Sequence, residues 1–258
     1  MEKERVECIF PVGPWLHDHA VDGRIILPAV VALEWLARIV AGQYPDCRVT
    51  TMEAVRFPRF AELLPDRDRM ECVVELAPLA GDRVLAQLCT RKRLGRMTRL
   101  LEHARAVFGG EPAPPVPVPR PSAVDNTLAA AGVYRDRVPF GPRLHSLIGT
   151  LALGPDQARG RVRALTHGRA GLLGSPFPLD GAMHAACVLG QELVDHIPFP
   201  VGCARRVIHR ATQPGHEYDV HVRLTGREGS ELCFDLALFA GDGNLETVTG
   251  LIMRDVGL

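Results

Sequence analysis

Two short segments of the sequence carry residues that are suited to acid–base chemistry. His19 lies just before a strongly apolar segment that is predicted to be a helix, and imidazole is the side chain whose ordinary pKa is nearest to neutral. Asp180 is surrounded in the sequence by apolar residues, and burial among such residues raises the pKa of a carboxyl group. A neutral imidazole and a protonated carboxyl group could together remove one proton and donate another.

Each of these residues also has a structural interpretation. A histidine at a helix entrance can be a hydrogen-bonded structural residue, and an aspartate can be the N-terminal cap of a helix. Pro178 suits the first turn of a helix, so the cap interpretation is a serious one for Asp180. His184 follows Asp180 by one helical turn and could orient its carboxyl group. Other histidines, such as His145, match no motif, and solvated or cross-strand positions are expected for them.

A proline-rich segment divides the chain near its middle. Residues 111–123 are predicted to form an extended linker, because six prolines within ten positions exclude both a helix and an inner strand. The predicted domains are therefore residues 1–110, which contain His19, and residues 124–258, which contain Asp180.

The two halves show the same order of predicted elements, in which an apolar helix is followed by several strands. The helices are predicted from Pro28 to Gly42 and from about Leu179 to Val194. Strands are predicted near residues 48–60, 69–76, 84–90 and 99–108, and near residues 146–153, 159–165, 203–212, 218–224, 231–240 and 245–253. The first helix is apolar around most of its circumference, so we expect a sheet to curl around it. This is an α+β arrangement.

Several motifs resemble those of polyketide synthase dehydratase domains. His19 to Pro28 fits the HxxxGxxxxP motif of that family, and the residues around it, Trp15-Leu16-His17-Asp18 and Leu33-Glu34, look similar as well. Asp180 to His184 fits the DxxxQ/H motif in its histidine form. Phe140-Gly141-Pro142-Arg143-Leu144 resembles the YGPxF segment, and Ile197-Pro198-Phe199 resembles the LPF segment.

The resemblance implies a double hotdog, in which each of two tandem hotdog folds wraps a curved antiparallel sheet around a central helix. It also implies a dehydratase that eliminates water from a 3-hydroxyacyl thioester on an acyl carrier protein, in polyketide or fatty-acid-like biosynthesis. His19 would be the base and Asp180 the acid, and the backbone N–H of Gly23 would bind the thioester carbonyl. The predicted substrate-side residues are, besides Gly23, Pro28, Phe140, Gly141, Pro142 and His184.

Departures from the family pattern leave other reactions open. Phe140 lacks the hydroxyl of the family's tyrosine, Leu144 replaces a phenylalanine, and Pro200 and Val201 stand where a tryptophan often follows the LPF segment. A cyclase that resembles product-template domains, a double-bond isomerase and a non-catalytic acyl-binding module are the alternatives. No metal or organic cofactor is expected, because elimination from a thioester involves neither redox nor phosphate chemistry.

Composition sets the remaining expectations. The 30 basic and 30 acidic side chains cancel, so neither a nucleic-acid nor a membrane-surface binder is expected. Neither a secretory signal nor an apolar run long enough to span a bilayer is apparent. The seven scattered cysteines form no CxxC pair, which argues against a disulfide framework and a zinc site and favours the cytoplasm. The chain could be a discrete protein or part of a synthase that includes a ketosynthase, and it could act as a monomer or a homodimer.

Overall fold

The computed structural model describes residues 3–95, 97–111, 126–167, 170–241 and 243–257. Apart from Glu111, the predicted linker over residues 111–123 lies outside the described residues. No helix within the described ranges is long and apolar enough to cross a membrane.

The N-terminal half, residues 3–111, contains one long helix and eight strands. A single turn of 3-10 helix, Pro14–Asp18, lies between the first two strands. The helix α1 spans Ala29–Gln43. It begins one residue after the predicted start at Pro28, which lies at the N-cap position. The strands are β1 Glu4–Pro11, β2 Ala20–Val21, β3 Arg24–Ile26, β4 Thr51–Arg56, β5 Glu62–Leu63, β6 Arg69–Pro78, β7 Val84–Leu94 and β8 Met97–Phe108.

The C-terminal half, residues 126–257, contains the second long helix, a shorter helix and seven strands. The short helix α2 spans Ala130–Asp136, and the long helix α3 spans Phe177–Gln191. A second 3-10 turn, Pro142–Leu144, follows α2. The strands are β9 Asn126–Ala129, β10 Leu147–Leu153, β11 Gln157–Arg163, β12 Phe199–Ile208, β13 Glu217–Glu228, β14 Glu231–Ala240 and β15 Gly243–Arg254.

Twelve of the strands form one continuous antiparallel sheet across both halves. The order is β1-β6-β7-β8-β4-β12-β15-β14-β13-β11-β10-β9, and β2, β3 and β5 form a separate small sheet. The halves meet where β4 pairs with β12, with Val55 opposite Cys203 and Met52 opposite Arg206. The sequence predicts a sheet in each half, and the structure shows that the two sheets are joined edge to edge.

The two long helices pack against opposite parts of this sheet and against each other. The helix α1 contacts β6, β7 and β8, whereas α3 contacts β10, β11, β13 and β14. Every residue of α3 from Phe177 to Gly190 is buried, which agrees with a helix that is enclosed by other structure on all sides. Because α1 and α3 contact each other, residues of the two halves can share one site.

Candidate active site

His19 is held at the end of the first 3-10 turn with one ring nitrogen already engaged. Its Nδ1 lies 2.7 Å from the carbonyl oxygen of Ile26. A carbonyl oxygen can only accept a hydrogen bond, so Nδ1 carries the proton and the lone pair of Nε2 is free. Burial lowers the pKa of His19 to about 4, so the imidazole is neutral at physiological pH. This is the tautomer that a base acting through Nε2 requires.

A tight hairpin places His19 and carries Gly23. The strands β2 and β3 are joined by Asp22 and Gly23, whose φ angles of 48° and 75° are typical of a two-residue turn that favours glycine. The backbone N–H of Ile26 donates to the carbonyl oxygen of His19 at 2.9 Å, which closes the loop around the imidazole. Glycine at position 23 is therefore explained by the turn alone.

Asp180 lies in the first turn of α3 with only 6% of its surface exposed. The N-cap of this helix is Pro176, and no side chain caps it, so the interpretation of Asp180 as an N-terminal cap is wrong. Burial raises the pKa of Asp180 to about 7, and no charged partner offsets it. The carboxyl group is therefore largely protonated below neutral pH and can donate a proton.

One cavity brings His19 and Asp180 together. It encloses about 1030 Å³ of space, part of which is open to solvent, and its lining comes from both halves of the chain. Phe57, Phe60, Ile197 and Phe199 are among its apolar lining residues. Asp22 and Arg59 also line it and are exposed, so they mark the side that faces solvent. An apolar cavity with two adjacent proton-transfer groups suits an acyl chain with a polar reacting end.

Phe140 forms the aromatic link between the acid and base sides of the cavity. Its ring stacks on the imidazole of His19 with centroids 4.3 Å apart and planes 25° apart. The same ring lies 5.2 Å from the ring of His184. Phe140 therefore shields both histidines from water, although it lacks the hydroxyl of the family's tyrosine.

A contact between the two halves holds Phe140 in this position. The carboxylate of Asp18 accepts a hydrogen bond from the backbone N–H of Arg143 at 2.8 Å, and its carbonyl oxygen accepts one from the N–H of Gly141 at 2.8 Å. A Cβ atom at position 141 would lie 2.5 Å from the Asp18 carboxyl carbon. Gly141 is therefore required by the close approach of Asp18, the residue that precedes His19.

Glu34 makes a second contact between the halves, on α1. Its carboxylate accepts the backbone N–H groups of Leu172 and Leu173 at 3.0 and 2.9 Å, and it also forms an ion pair with Arg38 at 2.7 Å. Leu172 and Leu173 belong to the loop that leads into α3. This contact therefore fixes the approach to the helix that carries Asp180.

Replacing Gly141 by alanine is expected to break the contact with Asp18 and separate Phe140 from His19. We expect a loss of about 1–3 kcal/mol in the free energy of unfolding, because the added methyl group must displace a carboxylate that is fixed by hydrogen bonds. Urea denaturation would measure this loss. Gly42→Ala is the matched control, because its Cβ would meet nothing within 4 Å. Equal stability of the two variants would contradict the importance of the contact.

His184 supports Asp180 from the same face of α3. Its Nε2 lies 3.3 Å from Oδ2 of Asp180, and burial lowers its own pKa to about 3. On its other side, Nδ1 lies 3.2 Å from the hydroxyl oxygen of Tyr134. A neutral His184 is therefore placed between a phenol and the carboxyl group of the predicted acid.

The structure separates the eight predicted site residues into two groups. His19, Phe140, Asp180 and His184 all line the cavity. The other four do not line it: Gly23, Pro28 and Gly141 are each next to a lining residue in the sequence, and Pro142 is one residue further away. Substrate contacts of these four residues therefore stay a prediction.

Two residues near the site, Tyr134 and His145, carry no motif in the sequence analysis, and Asp18 is named there only as a neighbour of the His19 motif. Tyr134 contacts His184, and His145 stacks on Tyr134 with ring centroids 4.0 Å apart and donates to the Phe140 carbonyl oxygen at 2.9 Å. Asp18 holds Gly141. The expectation of a solvated or cross-strand position for His145 is wrong, because the residue supports the wall of the site. A single tyrosine, histidine or aspartate outside a motif gives no signal in one sequence.

Comparison with solved structures identifies the class of fold. The dehydratase domain from the CurJ module of curacin polyketide synthase matches with a TM-score of 0.77 and 14% identity over 98% of this chain and 92% of that one. A dehydratase domain of a trans-AT polyketide synthase from Brevibacillus brevis matches with a TM-score of 0.75 and 17% identity, over 98% and 94% of the chains. The chain therefore has the double-hotdog fold of polyketide synthase dehydratase domains.

Other comparisons give related results. A bifunctional dehydratase-cyclase domain in ambruticin biosynthesis matches with a TM-score of 0.72 and 18% identity, over 98% and 91% of the chains. In sequence, Polyketide synthase ThaG of Burkholderia thailandensis is 27% identical over 253 residues, which is 91% of this chain but 4% of that protein. No protein-family model matches the chain.

Proposed function

We propose that this protein is a dehydratase that eliminates water from a 3-hydroxyacyl thioester. The observation that carries the proposal is the pairing, in one apolar cavity, of a neutral imidazole with a free Nε2 and a carboxyl group that keeps its proton. The likeness in fold to polyketide synthase dehydratase domains supports it. The double-bond isomerase and non-catalytic alternatives stay predictions.

In the proposed reaction, Nε2 of His19 removes the proton from C2 of the acyl group. The electron pair of that C–H bond forms the C2–C3 double bond, and the C3 hydroxyl leaves as water after it receives the proton of Asp180. The chemistry consists of two proton transfers, so the proposal includes no metal or organic cofactor. Solvent at the open side of the cavity returns the proton from His19 to Asp180 after the product leaves.

Charge balance favours a concerted elimination. An imidazole whose pKa is about 4 is a weak base, so removal of the C2 proton alone would be costly. If Asp180 donates at the same time, an imidazolium and a carboxylate appear together in the cavity. Their attraction then offsets part of the cost of placing each charge in an apolar environment.

We further propose that an acyl carrier protein delivers the substrate as a phosphopantetheine thioester, and that a ketosynthase acts in the same synthase. The similarity to a stretch of Polyketide synthase ThaG supports this. The open side of the cavity, whose exposed lining residues include Asp22 and Arg59, is where the thioester arm would enter. Cytoplasmic localisation and the oligomeric state stay predictions.

The pH dependence of kcat/KM should be bell-shaped. His19 must be unprotonated, so activity is expected to fall as the pH decreases through about 4. Asp180 must be protonated, so activity is expected to fall as the pH increases through about 7. Initial rates of enoyl thioester formation, with stability checked at each pH, would measure both limbs. Activity that keeps rising above neutral pH would contradict protonated Asp180 as the acid.

A pair of substrates separates dehydration from cyclisation. The purified protein would be offered a 3-hydroxyacyl pantetheine thioester and, separately, a thioester with several β-keto groups. The expected result is formation of the α,β-unsaturated thioester from the first substrate, detected by mass spectrometry as loss of one water. Turnover of the polyketone substrate alone would favour the cyclase, and binding without turnover of either would favour the non-catalytic alternative.

A further inference from the structure

We propose that Tyr134 is a positioning residue that fixes the tautomer of His184 and thereby places the acidic proton of Asp180 on the oxygen that faces the substrate. This inference rests on the proposed function, in which Asp180 is the acid. It assigns a role to a residue of α2 that lies outside the sequence motifs.

The contacts of the Tyr134 hydroxyl group define its hydrogen-bond roles. The backbone N–H of Leu147 donates to the hydroxyl oxygen at 2.8 Å, and Nδ1 of His184 lies 3.2 Å from the same oxygen. Tyr134 is 5% exposed, and burial raises the pKa of its hydroxyl group well above the usual value. The hydroxyl group therefore keeps its hydrogen at any pH at which the enzyme would act.

The position of the hydroxyl hydrogen of Tyr134 determines the tautomer of His184. The N–H of Leu147 occupies one lone pair of the hydroxyl oxygen, and in the proposed network the hydroxyl hydrogen is donated to Nδ1 of His184. Nδ1 then acts as an acceptor, and the neutral ring must carry its proton on Nε2. The hydroxyl group of Ser146 is also near the Tyr134 oxygen, and a hydrogen bond donated by it would still leave the Tyr134 hydrogen for Nδ1.

The tautomer of His184 in turn determines which oxygen of Asp180 carries the proton. Nε2 of His184 lies 3.3 Å from Oδ2 of Asp180, and both atoms are buried without a hydrogen bond of standard geometry in the described part of the chain. An N–H at Nε2 therefore has Oδ2 as the acceptor within reach. Oδ2 must then be the acceptor, and the carboxyl proton is on Oδ1. In the opposite tautomer, a bare Nε2 would attract the proton to Oδ2 and hold it away from the substrate.

A ring stack with His145 keeps Tyr134 in place for this role. The ring of His145 is stacked on the Tyr134 ring with planes 10° apart, and its Nε2–H donates to the carbonyl oxygen of Phe140 at 2.9 Å. Tyr134 of α2 thus places a hydroxyl group next to His184, whereas Phe140 has no hydroxyl group to offer.

Nitrogen-15 NMR of histidine-labelled protein tests the tautomer without any assay of activity. In the wild type, Nδ1 of His184 is expected to show the shift of an unprotonated ring nitrogen and Nε2 that of a protonated one. Tyr134→Phe should convert His184 to a mixture of both tautomers, whereas Tyr218→Phe, at a buried tyrosine near Gln213, should leave the signal unchanged. A protonated Nδ1 in the wild type would overturn the proposal, even if the variant failed to fold.

Kinetics in two backgrounds test the consequence for catalysis. Tyr134→Phe is expected to lower kcat about tenfold, the effect of losing one ordinary hydrogen bond, with little change in KM. In a His184→Gln background the same change should cost much less, because the amide group of glutamine always has a donor to offer Asp180. An equal loss in both backgrounds would overturn the proposal. Inactivity of the wild type on 3-hydroxyacyl thioesters would overturn the proposed function but leave the NMR result valid.

Discussion

Replacing His19 by alanine is expected to lower the rate of dehydration by roughly 10²- to 10⁴-fold, the usual contribution of a general base. The loss should be in kcat, because the imidazole contributes mainly to the transition state. Alanine also leaves the carbonyl oxygen of Ile26 without its donor and removes the ring that stacks on Phe140. A stability loss of about 1–3 kcal/mol is expected to accompany the loss of activity.

His19→Asn separates the chemical from the structural contribution. The amide nitrogen of asparagine can donate to the Ile26 carbonyl oxygen as Nδ1 does, but the side chain has no basic nitrogen in place of Nε2. This variant should be as inactive as His19→Ala and nearly as stable as the wild type. His216→Ala, at an exposed histidine that does not line the cavity, is the matched control. Wild-type turnover by His19→Asn would show that His19 is structural.

Asp180→Asn should abolish activity and yet stabilise the folded protein at alkaline pH. The pKa of Asp180 is about 7 in the folded state and 3.8 for an ordinary aspartate, so the unfolded chain releases this proton at a lower pH. The stability of the wild type should therefore fall as the pH rises between these values. Above about pH 7 the full cost is on the order of 4 kcal/mol, and asparagine does not incur it.

Urea denaturation at about pH 4 and at about pH 9 measures this difference. The variant should be the more stable protein at the higher pH, and the gap should shrink towards the lower pH, where Asp180 is protonated in the folded state and the pH is close to its ordinary pKa of 3.8 in the unfolded chain. Asp156→Asn, at an exposed aspartate that does not line the cavity, is the matched control for the removal of one carboxylate. Parallel curves for wild type and Asp180→Asn would mean that Asp180 is charged in the folded protein.

The sequence predicts the elements of this fold because the signals for them are local. Pro28 and the apolar run after it predict α1, and Pro178 predicts the start of α3 within two residues. Element ends are less accurate, since β7 extends to Leu94, beyond the predicted end at residue 90. There the strand is continued by pairing with β8 rather than by its own residue types.

The parts of the site that depend on distant contacts could not be predicted. Asp18 and Gly141 are explained only by their approach across the two halves, which no local pattern encodes. Tyr134 is one tyrosine in a short helix, and its contact with the site depends on where α3 places His184. His19 and Asp180 could be selected because their motifs occur together, while the catalytic roles of both stay predictions.

The pairing of β4 with β12 makes strand register a determinant of reaction geometry. This ladder is the place where the sheets of the two halves join, so it sets the position of His19 relative to Asp180. A slip of one residue would shift the halves by about 3.3 Å along the strands and reverse the direction of every side chain on one of them. Misplacement of reacting groups by about 1 Å can already cost 10²-fold in rate. Substitutions at seam residues that do not line the cavity should thus act on turnover as if they were in the active site.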